Sequence, residues 1–421
     1  MMPLGSHGEF AQRWYEYAVK MKDELSPQVW VLLGATFVVA MGFGLIGPVL
    51  PQFAETMAAQ VFPDNAVTAT TFVMSSFAVV RLLWASPAGM LVTRLGEKTI
   101  YVWAMFICAL SAGAIAFATN YWQLLAFRAA GGVGSVMFTV SAMGLLIKIA
   151  PEHMRGRVSA LYGSSFLLGN VLGPVVGGTL AGWGTSVPFL SYAVMLLLAG
   201  LIMFVFMPAT TAAATSTEEQ LPPVKVWEAL QNRAYVANLI AMAGQGWANY
   251  GVRFVMVPLF IAATITEESW VAGVAMGIFA VGNATALPFA SSYADRAGRK
   301  PTMILGLALS GGFMMLLGLA TNTWLVLLFC LVAGLGTGTF MPSSNAVVAD
   351  IVGRERSGNQ VIALTQMVTD VGAIIGPPLA GLIVDGRGYG PAFLVSGAIL
   401  VVGAGMWLAA PETLPTKSQT A

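Results

Sequence analysis

About twelve apolar runs of roughly 20 residues or more dominate the sequence, and each is long enough to cross the hydrocarbon core of a membrane. Of the 421 residues, 57% are hydrophobic and 9% are charged. A soluble globular chain carries about a quarter charged residues, so this balance indicates a protein with many membrane spans. The predicted spans are 29–53, 66–92, 99–118, 121–149, 157–182, 187–208, 234–262, 268–292, 301–320, 324–350, 358–384 and 391–410.

An internal repeat divides the chain into two similar halves. The stretch 77–98 recurs in degraded form as 279–300, an offset of 300 − 98 = 202 residues. The same offset carries 119–122 onto 321–324. Landmarks this far apart that share one offset indicate a duplicated gene. In an apolar chain of this size, such a repeat is typical of a transporter whose site lies between the halves.

The repeat and the polar linkers predict five segments. They are a cytoplasmic N-terminal segment at 1–28, a bundle at 29–208, a cytoplasmic linker at 209–233, a bundle at 234–410 and a cytoplasmic tail at 411–421. In the first segment, Phe10, Trp14, Tyr17 and Met21 recur every three or four residues. This spacing is typical of a short helix on the inner membrane surface, and an ordinary amphipathic lead-in, in part an expression remnant, is the alternative.

Basic residues occur in alternate loops. Those loops hold Arg94, Lys98, Lys148, Arg155, Arg157, Lys225, Arg233, Arg296, Arg299, Lys300, Arg354 and Arg356. The loops between them contain neither Lys nor Arg, and Arg387 is the exception to the alternation. Basic loops stay on the cytoplasmic side, so we expect a multi-pass protein of the cytoplasmic (inner) membrane with both termini in the cytoplasm.

The loop after the second span and the loop after the eighth share one pattern. The first copy contains Gly89, Arg94 and Gly96, and the second contains Asp295, Arg296, Gly298 and Arg299. At this point the chain resembles the major facilitator superfamily, whose characteristic loop reads Gly-x-Leu-Ala-Asp-Arg-x-Gly-Arg-Lys. The first copy departs from that pattern, with Thr93 in place of Asp and Glu97 in place of Arg.

In such a loop the glycines permit a tight turn, and the charged residues can hold neighbouring helix ends through their dipoles. We therefore interpret both copies as a latch that holds the protein closed on the cytoplasmic side. The departures at Thr93 and Glu97 put a full-strength latch in the first half in doubt. Plain anchoring of basic residues on the cytoplasmic side is the alternative, but it does not explain the repeated spacing.

The fifth span contains a stripe of small residues with a proline inside it. The stripe consists of Gly169, Gly173, Pro174, Gly177 and Gly178. Glycines four residues apart allow close helix approach, and the proline removes a backbone donor. The pattern resembles the antiporter motif of superfamily drug exporters, Gly-x3-Gly-Pro-x2-Gly-Gly, and so implies exchange transport. Generic helix packing is the alternative.

Ionisable residues inside spans are candidates for function because each is costly at mid-membrane. Arg128 resembles the arginine of the family's fourth-span motif, which implies a role in proton coupling; a buried structural cation is the alternative. Arg81 and Asp370 both lie roughly 18 Å deep, on spans that face each other across the domain boundary in the family fold. We hypothesise that they pair in one state and that protonation of Asp370 releases the pair. A permanent structural bridge is the alternative.

A central cavity is the expected place for substrate. Its candidate residues are Gln245, Asn249, Tyr250, Arg253, Asn283, Gln366, Trp84, Tyr162 and Phe166. An aromatic cavity with few fixed polar groups suits bulky amphiphiles. For each single aromatic, contact with lipid or burial in the core is the alternative.

The resemblance implies an all-α membrane protein with twelve transmembrane helices in two pseudo-symmetric six-helix bundles. The expected function is export of lipophilic or cationic small molecules in exchange for protons by alternating access. The alternatives are an uptake symporter for a nutrient or organic anion and a lipid or glycolipid flippase. We expect a monomer in the lipid bilayer that is not an enzyme, has no cofactor besides the proton gradient, and binds neither metal nor nucleic acid.

Overall fold

A computed structural model describes residues 25–151, 154–208, 224–353, 356 and 359–414 of the chain. Within these ranges the chain forms helices joined by short loops, with no strand. The predicted surface helix around Phe10 to Met21 lies outside the described residues, as do 209–223 of the linker and 415–421 of the tail. The predicted all-α architecture is confirmed.

Six spans form the first bundle. They are span 1 (Pro27–Ile46 and Leu50–Val61), span 2 (Ala66–Leu83 and Ala85–Leu95), span 3 (Glu97–Ala116), span 4 (Tyr121–Ile149), span 5 (Arg155–Ala181) and span 6 (Val187–Phe206). A short helix at Val226–Leu230 precedes the second bundle. That bundle consists of span 7 (Arg233–Gln245, Gly246–Val252 and Arg253–Thr264), span 8 (Ser269–Ala297), span 9 (Arg299–Leu317), span 10 (Thr323–Val352), span 11 (Asn359–Arg387) and span 12 (Tyr389–Ala409).

The repeat is visible in how the helices begin. Span 4 begins after Asn120, whose side chain accepts a hydrogen bond from the Gln123 amide at 3.0 Å. Span 10 begins after Asn322, 202 residues later, with the same bond to the Leu325 amide at 3.0 Å. An asparagine in this position satisfies a backbone donor that the helix itself leaves without a partner. Both halves therefore fix the start of the equivalent helix in the same way.

Span 7 is the least regular of the spans. Eleven of the described helices are each long and apolar enough to cross a membrane, and span 7 reaches that length only as three joined segments. Its middle segment, Gly246–Val252, is a π-helix. This segment packs closely against span 11 at glycines. A Cβ added to Gly246 would collide with the Thr369 carbonyl, and a Cβ added to Gly376 of span 11 would collide with Trp247. Wide turns of this kind occur frequently at functional sites.

The two bundles meet along three pairs of helices. Span 2 packs on span 11, span 5 packs on span 8, and the Leu50–Val61 segment packs on span 7. The hydrogen bonds that join described residues of different bundles lie in one half of the molecule, at the end that carries the loop 62–65. The structure is therefore closed between the bundles at that end.

Candidate functional site

Arg81 and Asp370 face each other across the seam between spans 2 and 11. Each is half-buried and hydrogen-bonded within its own bundle: Arg81 donates to the Ser135 hydroxyl at 2.8 Å, and Asp370 accepts from the Gln366 amide at 2.9 Å. The two charges lie close enough to interact, but these two described residues form no ion pair within 4.0 Å. In this state Arg81 and Asp370 lie opposite each other without a direct ion pair.

Arg128 is buried inside the first bundle. Its side chain is 6% exposed, and its guanidinium carbon lies 4.1 Å from the centre of the Phe77 ring and 5.7 Å from that of Phe43. Stacking on aromatic faces stabilises the guanidinium, which remains charged in proteins. The Nε atom of Arg128 has no hydrogen-bond partner among the described residues.

Arg253 is the equivalent cation of the second bundle, although it comes from span 7 and not from span 10. Its guanidinium carbon lies 3.6 Å from the centre of the Phe279 ring. Phe279 is 202 residues after Phe77, the ring under Arg128. Cys330, which takes the place of Arg128 in the repeat, is buried close to Arg253. The second half therefore places a cation on the same repeated phenylalanine from a different helix.

Two of the predicted cavity residues lie inside the second bundle. Gln245 is fully buried and Asn249 is 2% exposed. The Asn249 amide donates to Gln245 at 2.5 Å and to the Ser310 hydroxyl at 3.1 Å. Ser310 in turn lies 3.2 Å from the Thr337 hydroxyl. In this state these side chains form a buried polar network between helices and do not line an open cavity.

The other predicted cavity residues are more accessible. Tyr250, Phe166 and Trp84 are 49%, 43% and 41% exposed. Gln366 is exposed, while Asn283 and Tyr162 are half-buried. The structure thus separates the predicted set into an accessible group and the buried network of Gln245 and Asn249.

A groove of about 540 Å³ lies between spans 2, 4 and 11. Phe62, Phe72, Trp122, Val79 and Pro378 are among its largely apolar lining. Phe72 and Trp122 are more than half exposed. None of the predicted cavity residues lines this groove. The sequence did not reveal the groove, because its wall is formed by three helices that are distant in sequence.

Asp385 caps the start of span 2 from the opposite bundle. Its carboxylate accepts hydrogen bonds from the Val67 amide at 3.2 Å, from the Thr68 amide at 2.8 Å and from the Thr68 hydroxyl at 2.5 Å. A helix N-terminus has amides without partners and a partial positive charge, so a carboxylate binds there favourably. A Cβ on Gly381 would meet the Thr68 backbone, so the two spans touch closely at this point.

A second bond between the bundles uses a carbonyl that proline leaves free. Pro378 has no N–H, so the Ile374 carbonyl lacks its usual partner within span 11. The Ser75 hydroxyl of span 2 donates to that carbonyl at 2.9 Å. Asp385 and Ser75 together join spans 2 and 11 at the closed end.

The glycine stripe of span 5 serves both bundles. A Cβ on Gly169, Gly173 or Gly177 would meet the backbone of span 1 at 37–45. Gly178 instead faces span 8, where Gly273 approaches the Pro174 carbonyl. Only glycine permits these approaches. The stripe therefore fixes span 1 within its own bundle and contacts the other bundle at the closed end.

The two charged loops contain equivalent turns. Gly96 and Gly298 adopt positive φ angles of 81° and 111° between spans 2 and 3 and between spans 8 and 9. After each turn, the first residue of the next helix forms an ion pair with the helix that follows it. Glu97 of span 3 pairs with Lys148 of span 4 at 2.7 Å, and Arg299 of span 9 pairs with Asp350 of span 10 at 3.2 Å. Position 97 corresponds to 299 and position 148 to 350, so the pair recurs with its charges exchanged.

The second loop also binds the start of the tail. Arg299 forms a further pair with Asp295 at 2.5 Å. Glu412 accepts hydrogen bonds from the Arg299 amide at 2.8 Å and the Lys300 amide at 3.0 Å. Partial burial of Glu412 opposes its ionisation, but these amides and those of Thr413 and Leu414 hold the pKa of the carboxyl below its usual range.

The amino-acid sequence matches the family model of the Major Facilitator Superfamily over residues 32–271 and again over 239–421. The chain belongs to the major facilitator superfamily. It is therefore a transporter and not an enzyme. Membership also confirms the twelve-helix architecture and the resemblance seen in the loop sequences.

Two curated relatives cover most of this superfamily member. One is the multi-drug resistance efflux pump PmrA homolog of Lactococcus lactis subsp. lactis (strain IL1403), 22% identical over 87% of this chain and 90% of its own length. The other is the quinolone resistance protein NorA of Staphylococcus aureus (strain COL), 23% identical over 89% of this chain and 95% of its own.

Solved structures share the fold. A bacterial homolog of the human lysosomal transporter Spinster, in an inward-facing and unoccupied conformation, aligns with a TM-score of 0.74 at 15% identity, over 91% of this chain and 97% of its own. The occupied form aligns with a TM-score of 0.75 at 14% identity, over 90% and 96% of the two chains. At this identity the likeness shows the fold alone.

Proposed function

We propose that the protein exports lipophilic or cationic small molecules in exchange for protons by alternating access. The observation that carries the proposal is the placement of Asp370 opposite Arg81 across the seam between the bundles. A carboxylate attracts Arg81 and a protonated carboxyl does not, so binding a proton at Asp370 alters the attraction between the two bundles. A charge on a moving seam is what coupling of a proton to a conformational change requires.

The state of the structure fits the start of an export cycle. The bundles are closed at the end that carries the loop 62–65, where Asp385 and Ser75 join spans 2 and 11. The charge pattern predicts that this end lies outside, so in this proposal the bundles are closed on the side away from the cytoplasm. Opening outward then requires Asp385 to leave the start of span 2.

The substrate class follows from the apolar surfaces and from the relatives. The accessible aromatic residues Tyr250, Phe166 and Trp84 provide apolar contact area with few fixed polar groups. Such surfaces accept varied lipophilic molecules. The relatives named as a multi-drug efflux pump and a quinolone resistance protein support the same class. For a neutral substrate, one proton that crosses 100 mV supplies about 2.3 kcal/mol, enough for a roughly 50-fold gradient. A monovalent cation exchanged one-for-one moves no net charge and is driven by the pH gradient.

The test uses everted vesicles with an acidic lumen. Addition of a lipophilic cationic dye should release protons from the lumen with the wild-type protein and fail to do so with Asp370→Asn. Asp64→Asn, which removes an exposed carboxylate from a loop, serves as the matched control and should behave like the wild type. Proton release that persists in Asp370→Asn rejects the role of Asp370, and proton movement in the same direction as the dye rejects exchange.

A further inference from the structure

A small cavity lies inside the first bundle, enclosed by spans 1, 2, 3, 4 and 6. Its volume is about 40 Å³. A water molecule needs roughly 10–15 Å³ of such space, so the cavity accepts a few waters or one small ion and excludes organic molecules. Arg128, Ser135, Ser111, Tyr192 and Phe77 line it. The proposed exchange takes its proton at Asp370, which does not line this cavity.

Arg128 brings a positive charge to this cavity without a matching negative one. The side chain is 94% buried, its Nε has no partner among the described residues, and the charged neighbours that act on it include no described carboxylate. Arginine does not lose its proton in proteins, so the charge cannot be avoided by neutralisation. The rings of Phe77 and Phe43 offset part of the cost of burial, but they donate no full negative charge.

Ser135 adds a hydrogen-bond donor to the same cavity. Its hydroxyl oxygen accepts a hydrogen bond from Arg81 at 2.8 Å, and its own hydrogen has no acceptor among the described residues. Arg81 also brings a second positive charge close to the cavity wall. Asp370 attracts Arg81 from the opposite bundle, whereas no described carboxylate acts on Arg128. The cavity therefore combines positive potential, an orphaned guanidinium N–H and a free hydroxyl hydrogen.

We infer that this cavity binds a small inorganic anion of the size of chloride, held by the guanidinium of Arg128 and the hydroxyl of Ser135. The volume excludes organic carboxylates, so the site is distinct from any site for a transported organic anion. The bound anion neutralises Arg128 and stabilises the first bundle in this conformation. The inference does not depend on proton exchange, because anion binding is measured without substrate or gradient.

The test compares chloride with gluconate, which is too large for the cavity. The purified protein in detergent is unfolded thermally in sodium chloride and in sodium gluconate at equal ionic strength. We expect chloride to raise the unfolding midpoint in a saturable manner by about 2–4 °C, with bromide able to replace it. Equal midpoints in chloride and gluconate overturn the inference and assign the cavity to water.

Three variants locate the effect. Arg128→Gln removes the cation, and Ser135→Val fills the cavity while leaving Arg128 in place; both should lose the chloride response. Arg387→Gln removes an exposed charge from another part of the molecule and should keep it. If Arg128→Gln does not fold, Ser135→Val alone decides, and a full chloride response in that variant overturns the inference.

Discussion

The two bundles use the same ion pair with opposite polarity. In the first bundle, Glu97 at the start of span 3 pairs with Lys148 near the end of span 4. In the second, Arg299 at the start of span 9 pairs with Asp350 near the end of span 10. From the sequence, Glu97 was expected to weaken the latch of the first loop, because the family pattern has Arg at that position. The structure shows that Lys148 compensates for the change.

The second pair is joined by groups from its own loop and from the tail. Arg299 contacts a second carboxylate, Asp295, and its backbone amide binds Glu412 from the tail. Glu97 is buried to a similar extent, with a side chain that is 8% exposed against 10% for Arg299, and it packs against Gly144. The comparison teaches that the repeat retains an electrostatic link between consecutive helices, while the charges of that link have been exchanged.

The largest effect is expected from breaking the first pair. Glu97→Lys places two like charges together at a site with little solvent, which should destabilise the protein by about 3–5 kcal/mol. The exchange Glu97→Lys with Lys148→Glu should recover most of this loss, because the second bundle already contains the pair in that polarity. The unfolding midpoint in detergent measures both. A double variant no more stable than the single one contradicts the equivalence of the two pairs.

A smaller loss is expected in the second bundle, because Arg299 has two carboxylates there. Asp350→Ala leaves the guanidinium of Arg299 paired with Asp295, so we expect a loss of about 1–2 kcal/mol. Asp295→Ala, at the more exposed carboxylate, is the matched control and should cost less. The same unfolding measurement applies. A double variant Asp295→Ala with Asp350→Ala that loses no more stability than Asp350→Ala alone would show that Asp295 adds nothing to the second pair.

The sequence predicted the features that depend on the internal repeat and on how deep a residue lies in the membrane. The approximate spans and the turns at Gly96 and Gly298 follow from apolar runs and one repeat offset. The similar depth of Arg81 and Asp370 follows from the rise of a helix, whereas the expectation that their spans face each other came from the family resemblance. The Asp385 cap did not follow, since a sequence does not reveal which helix ends meet between bundles in one conformation. The π-helix of span 7 was also missed, and so was the burial of Gln245 and Asn249.

Losses of stability of intermediate size are expected at the two turn glycines, Gly96 and Gly298, which can be compared directly. Gly96→Ala and Gly298→Ala each force an L residue to a positive φ, at a cost of about 1–2 kcal/mol. Gly298→Ala should cost more, because its Cβ would meet the carboxylate of Glu412. Gly405→Ala, at a position with open space around it, is the control and should be nearly neutral. A larger loss at Gly96 than at Gly298 would contradict the role of the tail.

The smallest effect is expected for the contact between Glu412 of the tail and the second loop. The folded protein holds the pKa of Glu412 below its usual range, so this contact stabilises the tail above the pKa of the free carboxyl and is lost as the pH falls through the lower, folded value. We expect the protection factors of the Arg299 and Lys300 amides, that is their exchange rates corrected for the intrinsic pH dependence of amide exchange, to fall on acidification into that range. Glu412→Gln should exchange faster at neutral pH, with a loss of about 1 kcal/mol, and should not respond to acid. Glu267→Gln, at an exposed carboxylate in a distant loop, should retain the wild-type response. An acid response that persists in Glu412→Gln would place the titrating group elsewhere and remove the tail from the difference between the bundles.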